Sequence, residues 1–445
     1  MSDTAYVLER GWVDGAARDD VLVEVADGRF TTVLPDAPAD RARGVRHLPG
    51  LTLPGLANAH SHVFHRALRG RTQRVGGRGG SGSFWTWREQ MYAVATVLDP
   101  DSLHRLARAA YREMAAAGIT GVGEFHYLHH QPDGTAYDEA NAMGVALLEA
   151  GREVGVRVTL LDACYVSGGF GAPVEGVQRR FSDGDVDAWA ARVAALPEPV
   201  HGRVGAALHS VRAVPLEQLR RWSGPLVHVH LSEQRAENEE CLARLGATPA
   251  QVLAEAGQLH AGTTVVHATH LGDGDAGLLG AAGVTACLCP TTERDLGDGI
   301  GPGRTLDEAG VRLSLGSDSH AVVDPFEEMR AVELHERLAT ERRGHWPAAA
   351  LLAAGLRHDS IGFPDAGRIA VGARADLVTV DTGSARTAGT GADEHTAVWA
   401  ASAADVIHVV ADGRLVHTAA DREDVGRELA GAVAAVWDLV AEAGR

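Results

Sequence analysis

The sequence has little of what a membrane or nucleic-acid partner requires. No stretch approaches the roughly 20 consecutive apolar residues that cross a bilayer, and the first residues lack the basic start and apolar centre of a signal peptide. Positive charge is also scarce, since 41 Lys and Arg face 59 Asp and Glu and the formal net charge is −18. Because so acidic a surface repels phosphate backbones and anionic lipids, we expect neither nucleic-acid nor membrane binding.

Cysteine is rare as well. Four cysteines among 445 residues are too few for a disulfide framework. Reduced thiols are typical of the cytoplasm, where we therefore expect the protein. The hydrophobic fraction of 45% is ordinary for a globular chain that buries a core. Histidine, by contrast, is abundant at 22 residues, and the positions of the histidines carry the functional prediction.

Short apolar runs recur through the middle of the chain, and each ends in polar residues. They are 51–60, 118–127, 156–165, 203–212, 224–233, 263–271, 283–293 and 310–320. Stretches with helical spacing lie between them, for example 99–118 and 324–339. Eight apolar strands alternating with helices predict an α/β fold, a TIM-like (β/α)8 barrel whose active site lies at the carboxyl ends of its strands. The competing open doubly wound sheet should carry a Gly-rich phosphate turn after its first strand, and the sequence has none there.

Both ends of the chain are rich in short strand patterns separated by Gly and Asp. We expect residues 1–52 and 365–420 to form one small composite β-sandwich domain, residues 53–364 to form the barrel, and residues 421–445 to form a C-terminal helix. The Gly-rich stretch 70–83 predicts a loop over the active site, with Phe84, Trp85 and Trp87 as its anchor.

Histidines and one aspartate stand at the ends of several predicted strands. His60 and His62 are two residues apart, so their side chains share one face. His230, His267 and Asp318 close the fifth, sixth and eighth runs. An isolated His-x-His pair is more often two ordinary histidines in a turn, but in a barrel all these ends converge on one cavity. Three or four nitrogen and oxygen ligands with an open position predict a catalytic divalent metal.

The motifs around these residues resemble a known family. LPGLANAHSHVFHRALRG, HLSE, HATH and GSDSH are similar to the amidohydrolase superfamily, in particular to its mononuclear deaminase branch. Within that branch, GSFWTWREQMY, LHSVRAV and PTTERDLGDG resemble the formimidoylglutamate deiminases. This resemblance implies conversion of N-formimidoyl-L-glutamate and water to N-formyl-L-glutamate and ammonia, in histidine degradation.

The resemblance also implies roles for individual residues. The metal ligands are His60, His62, His230 and Asp318. One divalent ion is implied, with zinc favoured by the ligand set and Fe2+ or Mn2+ as alternatives. The ion generates hydroxide that attacks the formimidoyl carbon. Asp318 takes the proton of the water, Glu233 moves a proton to the amidine and His267 stabilises the attacking oxygen.

Cations are needed for the two carboxylates of this dicarboxylate substrate. Arg212 is the first candidate because its guanidinium fits a carboxylate bidentately, and Arg88 is the second. The resemblance adds His209 and Tyr127 as substrate contacts. His65 stands where the family commonly has Gln, which leaves its contact with the substrate open.

Two other functions compete with this prediction. The first is a deaminase of the same branch that acts on a nucleobase-like or adenosine-derived ring, against which the two arginines argue. The second is a non-catalytic barrel that serves as an assembly scaffold, against which the complete ligand set argues. Symmetry base rates and the resemblance both predict a homodimer.

Overall fold

The computed structural model describes residues 4–73 and 84–445, and its strands form two sheets. The strands are β1 (Thr4–Val13), β2 (Ala16–Ala26), β3 (Arg29–Leu34), β4 (Arg46–Pro54), β5 (Leu56–Ser61), β6 (Ile119–His126), β7 (Arg157–Cys164), β8 (Gly202–Leu208), β9 (Val227–Leu231), β10 (Thr263–His267), β11 (Thr285–Leu288), β12 (Arg312–Leu315), β13 (Leu377–Val380), β14 (Val406–Ala411) and β15 (Arg414–Thr418). One sheet has seven strands and the other has eight.

Helices connect and flank these strands. They are α1 (Ala39–Ala42), α2 (Phe84–Val97), α3 (Pro100–Ala116), α4 (Ala142–Val154), α5 (Val186–Ala194), α6 (Leu216–Leu219), α7 (Arg235–Leu245), α8 (Pro249–Glu255), α9 (Asp275–Ala282), α10 (Pro290–Leu296), α11 (Gly303–Glu308), α12 (Pro325–Thr340), α13 (Ala348–Gly355) and α14 (Arg422–Ala443). Across residues 4–73 and 84–445, no helix is both long and apolar enough to cross a membrane.

The eight-stranded sheet is a parallel barrel formed by β5 to β12 in chain order. Six of its strands are buried at every residue, which explains why they read as continuous apolar runs. Backbone bonds join its two ends, from Asp318 N–H to His60 C=O at 3.0 Å and from His62 N–H to Asp318 C=O at 3.1 Å. The predicted TIM-like barrel is confirmed, and its closure brings the first and last strands side by side.

The first predicted run, 51–60, is divided between the two sheets. Residues up to Pro54 belong to β4 of the seven-stranded sheet, and β5 of the barrel begins at Leu56. Gly55 lies between them, in a space so narrow that a Cβ there would approach Thr120 Oγ1 to 2.4 Å. A glycine at this position therefore lets the chain pass from one domain into the other.

The small domain is a sheet built from both ends of the chain, as predicted. Its strand order is β15-β14-β13-β4-β1-β2-β3. A buried ion pair connects it to the barrel, since Arg157 on β7 donates to Asp376 at 2.9 Å and to Asp412 at 3.0 Å. The domain boundaries at 52/53, 364/365 and 420/421 stay predictions.

The last helix, α14, packs on the barrel side of the molecule. Glu428 accepts from Arg108 and Arg112 of α3, and Trp437 Nε1 donates to Ala67 C=O at 2.8 Å. The C-terminal helix thus supports the segment that follows His62. Residues 74–83 of the predicted loop, and the side chains of its anchors Phe84 and Trp85, lie outside the described residues.

Candidate active site

Four side chains from the strand ends meet at the mouth of the barrel. His60 is part of β5, His62 follows β5, His230 is part of β9, and Asp318 follows β12. One potential ligand atom of each lies within 4.8 Å of the others, and all four residues are buried. Residues separated by more than 250 positions therefore form one compact nitrogen and oxygen cluster.

The imidazoles present their Nε2 atoms to one another. His230 Nε2 lies 3.2 Å from His60 Nε2 and 3.3 Å from His62 Nε2. His60 Nε2 and His62 Nε2 each lie 3.4 Å from Asp318 Oδ1. All four groups thus point at the same small volume.

The hydrogen bonds made by Nδ1 of His62 and His230 determine whether the Nε2 atom of each ring carries a proton or a lone pair. His62 Nδ1 lies 2.8 Å from Phe125 C=O, and His230 Nδ1 lies 2.9 Å from His209 C=O. A carbonyl only accepts, so Nδ1 holds the proton and the Nε2 of a neutral ring carries a lone pair. Burial lowers the pKa of all three histidines, that of His60 to about 3. Converging lone pairs beside a carboxylate fit a divalent cation and do not fit a hydrogen-bonded cluster.

Backbone strain is concentrated at the same strand ends. His267 has φ +72°, Ala268 has +52°, Ser232 has +52° and Asp318 has +37°, although none is a glycine. Such conformations cost on the order of 1–3 kcal/mol each and persist where the surroundings over-determine them. Their location is typical of a functional site.

A second group of acids and one histidine borders the cluster. His267 Nε2 lies 3.7 Å from Asp318 Oδ2 and 4.0 Å from Glu233 Oε1. Burial acts to lower the pKa of His267, but Glu233, Glu293 and Asp318 outweigh it and raise that pKa well above its ordinary value. Burial raises the pKa of Glu233. These groups can hold and exchange protons next to the cluster.

A cavity opens onto this chemistry. The predicted catalytic and metal residues that line it are His62, His230, Glu233, His267 and Asp318. The five predicted substrate contacts, Arg212, His209, Tyr127, Arg88 and His65, also line it. His60 is fully buried beneath the others. The structure therefore brings every predicted site residue to one place.

Arg212 presents a cation to the cavity. Within the part of the chain that the structure describes, its guanidinium makes no hydrogen bond and no ion pair within 4.0 Å. Burial acts to lower its pKa, whereas the more distant Glu237 and Glu233 outweigh burial and raise it. A half-buried guanidinium with no direct partner is suited to an anionic ligand.

His65 and Tyr127 form a pair in the cavity wall. His65 Nε2 lies 2.9 Å from Tyr127 Oη, and the Trp87 ring packs edge-on against His65 at 5.0 Å. Burial lowers the pKa of His65 well below its usual value, so the ring is neutral. His65, which stands where the family commonly has Gln, therefore has the Tyr127 hydroxyl as its hydrogen-bond partner.

Sequence reasoning missed several residues of the site. Tyr92 and Gln178 line the cavity, with Gln178 Nε2 donating to Tyr92 Oη at 3.3 Å. Tyr92 is one helical turn after Arg88 on α2, so the two side chains lie on the same face of the helix, and this spacing could have predicted that Tyr92 lines the cavity. Glu293, which contacts His267, lies in the quoted PTTERDLGDG motif, but that motif assigns it no role.

Comparison with known proteins adds to this geometry. A model of the amidohydrolase family matches residues 51–416. Formimidoylglutamate deiminase from Pseudomonas aeruginosa is 36% identical over 395 residues, which cover 84% of each chain. The 5-methylthioadenosine/S-adenosylhomocysteine deaminase of Haloarcula marismortui is 28% identical, over 90% of this chain and 88% of its own. The crystal structure of an amidohydrolase from Brucella melitensis superimposes with a TM-score of 0.86 at 28% identity and covers 98% of this chain and 100% of its own.

Proposed function

Because the chain belongs to the amidohydrolase family, and is thus a hydrolase acting on C–N bonds, we propose that it hydrolyses N-formimidoyl-L-glutamate to N-formyl-L-glutamate and ammonia. The activity named for the Pseudomonas aeruginosa relative supports this choice. We further propose that the reaction serves histidine degradation in the cytoplasm and that the enzyme acts as a homodimer, the commonest symmetric assembly.

Arg212 is the observation that carries the proposal. Its guanidinium lines the same cavity as the His60–Asp318 cluster and, among the described residues, has no direct anionic partner. Arg88 lines the cavity too, with its guanidinium 5.6 Å from the centre of the Tyr92 ring. An uncharged nucleobase offers the Arg212 guanidinium no anion, whereas glutamate brings one carboxylate for Arg212 and a second that Arg88 can reach.

The metal centre follows from the donor set. We propose that His60, His62, His230 and Asp318 hold one zinc ion, because neutral imidazoles with a carboxylate are the ligands that catalytic zinc uses. When bound, such an ion acidifies a water molecule to a pKa of about 7, which makes hydroxide available at neutral pH. Fe2+ and Mn2+ accept the same ligands and are the alternatives.

The chain's own residues then manage the protons. Hydrolysis adds the oxygen of water to the formimidoyl carbon and breaks the bond from that carbon to the terminal nitrogen, which leaves as ammonia. Asp318 Oδ2 accepts a proton of the attacking water and returns it to the departing nitrogen. Glu233 takes the remaining proton of that oxygen through its carboxyl and delivers it to the same nitrogen, so both protons of the water leave with ammonia. His267 Nε2, close to both acids, donates a hydrogen bond to the attacking oxygen.

The remaining contacts orient the glutamate part of the substrate. We propose that Arg212 and Arg88 each bind one carboxylate. His209 and Tyr127 also line the cavity, with their rings 5.2 Å from those of His230 and His62, and there they can form hydrogen bonds with the substrate. His65 acts through Tyr127, whose hydroxyl it holds at 2.9 Å.

A panel assay tests the proposal. Ammonia release is measured with N-formimidoyl-L-glutamate, 5-methylthioadenosine, adenosine, guanine and cytosine, using enzyme of known metal content. We expect turnover of formimidoylglutamate with kcat/KM at least about 100-fold above that for any ring, since a site lined for charged groups rejects partners that leave those groups unpaired. Ammonia from a nucleoside or nucleobase alone would replace the proposal with a purine or pyrimidine deaminase, and no ammonia from the metal-loaded protein would favour the scaffold.

A further inference from the structure

Glu293 is a buried carboxylate that lies behind His267. It belongs to α10, which follows barrel strand β11, and it is 4% exposed. Its Oε1 accepts the backbone N–H of Cys289 at 2.9 Å and lies 3.4 Å from His267 Nδ1. Its own backbone N–H donates to Cys289 C=O at 2.9 Å. The first turn of α10 thus fixes the carboxylate from two sides.

His267 separates Glu293 from the reacting atoms. The cavity wall includes His267, and Glu293 is not among the described residues that line it. The two ring nitrogens of His267 therefore face different partners, with Nδ1 towards Glu293 and Nε2 towards Glu233 and Asp318. A hydrogen bond at one ring nitrogen fixes the orientation of an imidazole and therefore the direction in which its other nitrogen points.

The backbone of His267 needs such support. Its φ of +72° and that of +52° at Ala268 are left-handed conformations that L residues rarely adopt. A strained strand end holds its side chain in place only where neighbouring contacts over-determine it. Glu293 is one of these contacts, and it acts from outside the cavity.

We propose that Glu293 is a positioning residue, whose carboxylate accepts the Nδ1 proton of His267 and thereby aims Nε2 at the reaction centre. The effect on turnover rests on the proposed hydrolysis of N-formimidoyl-L-glutamate. The effect on the ring does not, because it concerns a contact within the chain.

The kinetic test compares Glu293→Ala and Glu293→Gln with a matched control. Glu328 of α12 is also buried, at 2% exposure, and holds the same helix by accepting Thr291 N–H at 3.1 Å, but it has no contact with His267. Glu328→Gln is therefore the control for loosening α10. We expect Glu293→Ala to lower kcat by about 10- to 100-fold, as loss of an outer partner commonly does. KM for N-formimidoyl-L-glutamate and metal content should stay near the wild-type values.

The conservative variant separates orientation from general destabilisation. Gln keeps a carbonyl oxygen that can accept both the Cys289 and the His267 protons, so Glu293→Gln should recover most of the kcat lost in Glu293→Ala. Glu328→Gln should turn over like the unaltered enzyme. A Glu293→Ala enzyme with unchanged kcat, or one whose kcat loss is matched by Glu328→Gln or by loss of metal, would overturn the proposal.

The second readout needs no substrate. In zinc-loaded enzyme labelled with 15N-histidine, NMR reports how fast the Nδ1 proton of His267 exchanges with solvent, with the signal assigned by its disappearance in His267→Gln. We expect a slowly exchanging, hydrogen-bonded Nδ1 proton in the unaltered enzyme and in Glu293→Gln, and a signal lost to rapid exchange in Glu293→Ala. A slowly exchanging Nδ1 proton in Glu293→Ala would refute the positioning role. Absence of formimidoylglutamate turnover in the unaltered enzyme would refute the proposed function instead and leave this readout valid.

Discussion

Replacing Arg212 with Met should weaken substrate binding and spare the chemical step. A guanidinium that binds a carboxylate bidentately contributes two charge-assisted hydrogen bonds, each worth about 1.5–3 kcal/mol. Because Arg212 is only half-buried, the low end applies, and the loss is about 3 kcal/mol. At 1.36 kcal/mol per factor of ten, KM should rise on the order of 100-fold, with kcat within a few-fold of normal. Arg212→Lys keeps the charge but cannot bind a carboxylate bidentately, so its KM should lie between those of the unaltered enzyme and Arg212→Met.

Substrate analogues identify the carboxylate that Arg212 binds. N-formimidoyl-4-aminobutyrate lacks the α-carboxylate of the substrate, and N-formimidoyl-2-aminobutyrate lacks the carboxylate at the far end. Ammonia release is measured for each compound with the unaltered enzyme and with Arg212→Met. For the analogue that lacks the partner of Arg212, Arg212→Met should leave kcat/KM almost unchanged. For the other analogue, the substitution should still lower kcat/KM on the order of 100-fold, as a double-mutant cycle requires.

A surface arginine provides the control for this cycle. Arg221 pairs with Asp187 at the protein surface and is not among the described residues that line the cavity, and its side chain is 46% exposed. Arg221→Met should leave all three compounds unaffected. An unchanged KM for Arg212→Met, or equal losses on both analogues and the full substrate, would refute a direct contact between Arg212 and a carboxylate.

Three further expectations concern protons, metal and pH. Glu233→Gln should keep the metal and lower kcat by about 100-fold or more, and turnover within tenfold of normal would remove its role in proton transfer. Dialysis against a chelator should abolish ammonia release and leave the circular-dichroism spectrum of the fold, with activity returning on addition of zinc; full activity in metal-free protein would contradict the metal centre. Burial acts to raise the pKa of Asp405, but hydrogen bonds from Arg386, Ser384 and Ser402 lower it to about 2. Because the folded pKa is depressed, Asp405→Asn should lower the free energy of unfolding by about 2 kcal/mol at pH 7. In denaturant titrations, the difference between the two proteins should shrink as pH falls from 4 towards 2. A difference that stays constant with pH would show that the carboxylate charge is not its source.

The barrel could be predicted from the sequence because its strands are buried on both faces. Burial at every residue of six strands produces apolar runs that stand out from the amphipathic helices between them. The passage between the domains at Gly55 could not be predicted in the same way. β4 and β5 are both apolar and only one residue apart, so the pattern shows one run where the structure has two strands.

The meeting of His60, His62, His230 and Asp318 at one place was predictable for a related reason. A barrel fixes where every strand ends, so a polar residue directly after an apolar run is placed by the fold alone. Tyr92 and Gln178 are different, because α2 and the 3-10 turn Gly176–Phe181 lie outside the strands and their positions depend on tertiary packing. Glu293 was hidden by its context, since an acid in the first turn of a helix is ordinarily explained by the helix dipole.

The two kinds of histidine environment at this site explain how one residue type can serve two tasks. His62 and His230 donate from Nδ1 to backbone carbonyls, and burial lowers the pKa of both rings, so their Nε2 lone pairs are free for a cation. His267 also stands at a strand end, 3.7 Å from Asp318, but its neighbours are the carboxylates Glu233, Glu293 and Asp318, which raise its pKa. A ring that holds a proton on Nε2 cannot donate that nitrogen's lone pair to a metal, so the carboxylates around His267 make it unsuited to the ligand role proposed for His62. The partner of each Nδ1, carbonyl or carboxylate, thus separates the proposed ligands from the proton-bearing group within one cluster.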